Sequence, residues 1–263
     1  MDIIYEKNYN EKALYINMAG TYLTKNNISE MINQMESVEN DKNINHIIFS
    51  STSKDFCLGH DIKSLLGYDE TEAKIYSSLG QELIKKIREI RKIIISALTG
   101  KTLGPGFEIA IASDLVFATD DTTFGFPETD YGIIPAFGGT VLASRKIHEN
   151  FVKYLTITGV QIGVDELFCR GIISKIFKSK DEMFDHIAEV VKNLNKKSMF
   201  ALGLAKETIN NGIELDIDRA LLLEQNAFSV AFSSYDKREG MLAFIEKREP
   251  KFKNRWEDYE DMF

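Results

Sequence analysis

Apolar positions in the first half of the chain fall into short blocks whose period switches between that of a strand and that of a helix. Segments 2–7 (DIIYEK) and 13–18 (ALYINM) read as two strands around a turn at 8–12. Within 26–42, Ile28, Met31, Ile32 and Met35 recur at helical spacing, with Asn27 placed to cap the helix. The runs 44–51 (INHIIFSS) and 93–98 (IIISAL) are apolar and rich in isoleucine, which predicts buried strands, and the amphipathic stretch 72–92 predicts a long helix between them. After the turn Gly104-Pro105-Gly106, residues 106–113 predict a helix running into the strand 114–119, and 122–128 (TTFGFPE) reads as a further strand end. From 139 onward the period is helical over 139–159, 182–196, 200–212, 216–234 and 236–248, with one strand-like piece at 171–177. The expected organisation is an α/β core over residues 1–200 followed by a helical C-terminal region over 201–263.

Composition narrows the function classes. The chain has 263 residues, 44% of them hydrophobic and 27% charged, enough for one sizeable core. A net charge of −8 argues against general nucleic-acid binding, which needs a basic face, but leaves room for an anionic small molecule at a helix N-terminus or a few lysines. The two cysteines, Cys57 and Cys169, make neither a disulfide framework nor a metal-ligand cluster, and no metal site is expected. The first residues are acidic and mixed rather than a signal peptide, and no window approaches the roughly 18 apolar residues that span a membrane, so a cytoplasmic protein with no membrane partner is expected.

Three stretches carry residues suited to chemistry. In 55–65 (DFCLGHDIKSL), Gly59 can turn the backbone and expose the N–H of His60, although a plain loop entering a helix capped by Asp61 explains the same residues. In 103–112 (LGPGFEIAIA), a strand, a glycine turn and a helix start would aim free N–H groups at a developing oxyanion. Glu108 then stands in the first helical turn, where it also complements the helix dipole. In 124–140 (FGFPETDYGIIPAFGGT), Glu128 stands at a strand end, where either a solvated turn carboxylate or half of an acid–base pair would sit.

Together these stretches resemble the crotonase family of enoyl-CoA hydratases and isomerases. FCLGHDIK is similar to the family's block around A-G-A-D, LGPGFEIAIASD to its G-G-G-C-E-L-A block, and FGFPETDYGIIPAFGGT to its F-G-x-P-E block. The tail EGMLAFIEKREPKFKN is similar to the family's C-terminal ending, and all four occur in the family's order. The resemblance implies a spiral of ββα turns with a helical C-terminal trimerisation region, hence a homotrimer or hexamer. It implies an acyl-CoA substrate, with CoA entering as part of that substrate and no separate cofactor. It places two thioester-binding N–H groups at His60 and Pro105, and the two water-positioning glutamates at Glu108 and Glu128. It places substrate contacts at Leu58, Gly59, Asp61, Ile62 and Lys63, at Gly104, and at the tail residues Phe252 and Lys253. Ala136 stands where the family's dienoyl isomerases have aspartate, which argues against that subtype; Asp130 has no assigned role.

One departure matters. Pro105 has no N–H, and losing one such donor typically costs about 2.7–4 kcal/mol in the transition state. Either proline is there because it suits the first helical position, or Gly106 N–H or a water replaces the donor, or the substrate oxygen lies elsewhere. His60 replaces a residue that is usually small, and its ring either joins the chemistry or fills space. The reading is a lyase adding water reversibly to a 2-enoyl-CoA. The alternatives are a family isomerase, decarboxylase or C–C hydrolase on another CoA or acyl-carrier-protein thioester, and a non-catalytic acyl-thioester-binding or scaffold protein.

Overall fold

The structure is a computed structural model that describes residues 3–19 and 21–253. The first residues of the expected N-terminal strand, Gly20, and the end of the expected C-terminal region (254–263, with the last residue of the tail block) lie outside the described residues. Each turn of the chain gives one strand to each of two sheets and then a helix. The hairpin β1 (Ile4–Asn8) and β2 (Ala13–Asn17) leads to β3 (Thr21–Leu23) and helix α1 (Lys25–Glu39). The next turn is β4 (His46–Ser50), β5 (Cys57–His60), the short α2 (Ile62–Leu65) and the long α3 (Glu70–Glu89). The third is β6 (Ile93–Leu98), β7 (Lys101–Leu103) and α4 (Pro105–Ala112). The fourth is β8 (Leu115–Thr119), β9 (Thr123–Gly125), a 3-10 turn over Pro127–Tyr131, then α5 (Gly139–Lys146) and α6 (Glu149–Thr158). The chain continues through β10 (Ile162–Gly163), α7 (Val164–Phe168), β11 (Lys175–Phe177) and α8 (Lys180–Leu194) to α9 (Met199–Gly212), α10 (Ile217–Phe232) and α11 (Tyr235–Glu246).

One sheet has the order β1-β2-β4-β6-β8-β11 and is parallel except for the β1–β2 hairpin. Its central strands read as unbroken apolar runs because both faces are covered. Ile47, Phe49, Ile94 and Leu98 join the core under α1, α3 and α4, while the alternate residues Ile48, Ile95 and Ala97 pack with Met183, Ile187 and Val191 of α8. The second sheet has the order β10-β9-β7-β5-β3. It is built from strands of two to four residues, too short to show a period in the sequence.

Local chemistry differs from the sequence reading in three places. The α1 cap is Thr24, and Asn27 closes a capping box by accepting from Thr24 N–H at 3.1 Å. Residues 57–60 form a strand rather than a loop, and Asp61 beyond them caps α2 through Lys63 N–H. The helical run 139–159 is two helices, the second capped by His148. Helix α9 docks on the core through the ion pair of buried Lys206 with half-buried Asp114, 2.8 Å apart. Among the described residues no helix is long and apolar enough to cross a membrane.

Candidate active site

Strands β5, β7 and β9 are parallel neighbours, and each carries one of the three sequence blocks at its C-terminal end, where sites of parallel sheets gather. His60 ends β5 and is buried. Leu23 of β3 lies in register with His60, and Asp61 N–H donates to Leu23 O at 3.2 Å. Alternation along a parallel ladder therefore turns the N–H of His60 toward the opposite edge. On that edge β7 has ended, and the chain turns away at Gly104 with φ +50°.

Gly104 has a second reason to be glycine, because a Cβ there would collide with Glu128 Oε1. Its N–H donates to Gly125 O at 3.0 Å, which ties the β7 turn to β9. Pro105 occupies the first position of α4, where its missing N–H costs the helix nothing and its fixed φ suits the start. Gly106 packs so tightly on Cys57 that a Cβ would overlap it, and its N–H faces the Cys57 thiol. Burial pushes that thiol up to about 12, which leaves it an inert packing group.

Glu108, in the first turn of α4, is 1% exposed. Its Oε1 accepts from Phe137 N–H at 2.9 Å and Gly139 N–H at 2.6 Å, while Oε2 has no hydrogen-bond partner. Burial, reinforced by the charge of Glu128, raises its carboxyl to about 8 against these N–H groups, which favours the protonated form. Glu128, in the 3-10 turn after β9, is 2% exposed and lies close enough to act on Glu108 electrostatically. The two carboxylates that the sequence singled out therefore meet in one buried site. The loop that holds Glu108 is itself pinned to α3, where Ser77 Oγ donates to Ala136 O at 2.7 Å.

The site contains two groups that the sequence reading passed over. Tyr76 of α3 hydrogen-bonds His60 Nδ1 at 2.9 Å and donates its hydroxyl to Leu23 O at 3.1 Å. Phe137 sets its ring against His60 and Tyr76, with centroids 5.2 and 5.3 Å away. The signals were faint: Tyr76 is a polar member of the buried stripe of α3, and Phe137 lies inside the third block. Beyond Phe137 lies a cavity of about 730 Å³, also lined by Gln81, Ile84, Arg88, Val141 and Leu142.

The remaining candidates are more dispersed. Leu58 is half-buried on β5 beside the buried Gly59. Asp61 and Ile62 are half-buried at the start of α2, with Lys63 exposed just after them. Phe252 rests on Gly240 of α11. Lys253 N–H donates to Asp236 Oδ1 at 2.8 Å, and its ammonium lies over the Tyr235 ring, so the tail is seated on the helix that precedes it. Asp130 is exposed on the 3-10 turn, and Cys169 is exposed just after α7.

The chain matches the Enoyl-CoA hydratase/isomerase family over residues 19–255. It is 34% identical over 254 residues to a crotonyl-CoA hydratase of Syntrophomonas wolfei, an alignment covering 95% of this chain and 97% of that protein. It is 33% identical over 258 residues to a short-chain-enoyl-CoA hydratase of Clostridium acetobutylicum, covering 97% and 98% of the two chains. Its fold superposes on an enoyl-CoA hydratase from Bacillus anthracis with a TM-score of 0.89 at 26% identity, covering 97% of this chain and 100% of the other. Two buried carboxylates at the ends of adjacent parallel strands, in a spiral of ββα turns that these relatives share along nearly the whole chain, make this protein a member of the enoyl-CoA hydratase/isomerase family.

Proposed function

We propose that the protein adds water reversibly across the double bond of a short-chain 2-enoyl-CoA thioester. The observation that carries this reading is the buried pair Glu108 and Glu128, in which burial and the neighbouring carboxylate push Glu108 up to about 8. Glu128 takes a proton from the water whose oxygen bonds to Cβ, and Glu108 gives its proton to Cα. In between, the thioester oxygen carries enolate charge, stabilised by the N–H of His60. Proton transfer from Glu128 to Glu108 resets the site. CoA enters as part of the substrate, with Lys63 and the tail residues Phe252 and Lys253 as its contacts. A short acyl group agrees with the ring wall of His60, Tyr76 and Phe137 and with the names of the two relatives above.

Self-association belongs to the same proposal. Helix α10 buries none of its residues and exposes Ile217, Leu221, Leu222, Phe228 and Phe232, while α11 adds Phe244 and Ile245. An apolar face of this kind supports the homotrimer or hexamer implied by the sequence blocks. The test of the activity is loss of the conjugated thioester absorbance of crotonyl-CoA. Turnover by the native protein that is abolished in Glu108→Ala and in Glu128→Ala supports the reading. Tight binding of crotonyl-CoA without turnover refutes it.

A further inference from the structure

Gly80 stands in the middle of the 20-residue helix α3, where glycine is a poor helix former and alanine would ordinarily serve better. It is buried, and a Cβ built there would overlap three carbons of the Phe137 ring. The helix therefore carries a notch at Gly80, and the Phe137 side chain, 1% exposed, fills it. The same helix grips the residue before the ring. Ser77 Oγ donates to Ala136 O at 2.7 Å, and Gln81 Nε2 donates to the same oxygen at 3.3 Å. Tyr76, one turn before Gly80, and His60 of β5 pack on the ring as well, with centroids 5.3 and 5.2 Å away. On its backbone, Phe137 N–H donates to Glu108 Oε1 at 2.9 Å, and Gly139 N–H joins it at 2.6 Å. With Oε1 held by both, Oε2 has no hydrogen-bond partner and is the oxygen left for a substrate carbon.

We propose that Gly80 is a positioning residue for the hydration: the notch it leaves in α3 seats the Phe137 ring, and the seated ring sets the backbone N–H that holds Glu108. The inference deepens the hydratase reading and rests on it for its catalytic consequence. Gly80 carries no group that could reach a substrate, so its effect must pass through Phe137. The ring is closed in by Gly80, Tyr76 and His60, and overpacking such a site is relieved by backbone shifts as well as side-chain ones. The backbone that gives way is either the loop 136–139 or α3 itself. Movement of the loop carries Phe137 N–H off Glu108. Movement of α3 carries Ser77, and through Ala136 O it drags the same loop. Either way Oε2 leaves the place from which it would deliver a proton. The proposed CoA contacts lie on other elements, Lys63 on α2 and Phe252 and Lys253 beyond α11. The effect therefore belongs in kcat rather than in KM.

The test compares the native protein, Gly80→Ala, Phe137→Ala and the double variant. With crotonyl-CoA, Gly80→Ala should lower kcat by about tenfold or more while KM changes by less than about threefold. On the Phe137→Ala background the ring is gone and the N–H remains, so the same substitution should lower kcat by less than about twofold. An equal loss on both backgrounds, or a native kcat in Gly80→Ala, overturns the proposal. Two readouts need no turnover, so they separate this proposal from the hydratase reading. The midpoint of urea unfolding should fall in Gly80→Ala, although alanine is the better helix former, and should rise when the same change is made on Phe137→Ala. In a crystal structure of Gly80→Ala, Phe137 N should lie beyond hydrogen-bond reach of Glu108 Oε1. A midpoint that rises on the native background, or a Phe137–Glu108 bond left intact, refutes the proposal even if hydration is confirmed. A native protein silent on crotonyl-CoA, in which Gly80→Ala still breaks that bond, supports the placement of Glu108 by Gly80 and counts against the hydratase reading alone.

Discussion

Replacing Glu108 by glutamine should stabilise the fold while removing the acid. The carboxyl has an ordinary value of 4.5 and is raised to about 8 by burial and by Glu128. Between those values the folded chain keeps a proton that the unfolded chain releases. Stability from this group is therefore complete below pH 4.5 and is lost as pH rises through about 8. The shift corresponds to about 5 kcal/mol in full, of which about 3 kcal/mol is already lost at pH 7. Glutamine retains an oxygen for the N–H groups of Phe137 and Gly139 and has no proton to release. Its NH2 group replaces the unpartnered Oε2, which reduces the gain by the cost of one unsatisfied donor, about 1–3 kcal/mol. Denaturant unfolding followed by circular dichroism from pH 5 to 9, on both proteins, measures the difference. The stability of Glu108→Gln minus that of the native protein should climb with pH up to about 8 and level off above it. Other titrating groups are common to both chains and cancel. A difference that is flat with pH would show that Glu108 is not held protonated by the fold, and the assignment of acid and base would go with it.

Pro105→Gly restores an N–H at the start of α4. It should raise kcat for crotonyl-CoA by about tenfold or more if that position faces the thioester oxygen, and it should lower stability by about 0.4–1 kcal/mol through the freer unfolded chain. An unchanged kcat would show that this N–H does not reach the oxygen. Phe137→Ala removes a ring that packs on His60 and lines the 730 Å³ cavity, so the ratio of kcat/KM for an eight-carbon to a four-carbon enoyl-CoA should rise about tenfold or more. An unaltered ratio would mean that the cavity does not extend the acyl site. Phe228→Glu on the exposed face of α10 should dissociate the proposed homotrimer or hexamer in sedimentation at micromolar concentration, whereas an assembly of unchanged size would place the interface elsewhere.

The sequence by itself determined the larger elements and the identity of the glutamates. The runs 44–51 and 93–98 are apolar throughout because β4 and β6 are covered on both faces. The amphipathic stripe of α3 is legible because one face meets the core and the other meets water. Glu108 and Glu128 each have a plain structural reading by themselves, and they stand out because the blocks around them resemble those of the crotonase family. The tertiary structure alone decided that they meet. The sheet that brings them together is made of strands as short as two residues, held by neighbours far away in sequence and therefore without a local period. The same holds for the surroundings of His60. Its link through Tyr76 to Leu23 spans residues 23 to 76, and its approach to Glu128 joins positions 68 residues apart. Hydrophobic periodicity records only which side of an element faces the core. Which polar group faces which across the core is set by how the spiral closes, and that is a property of the folded chain.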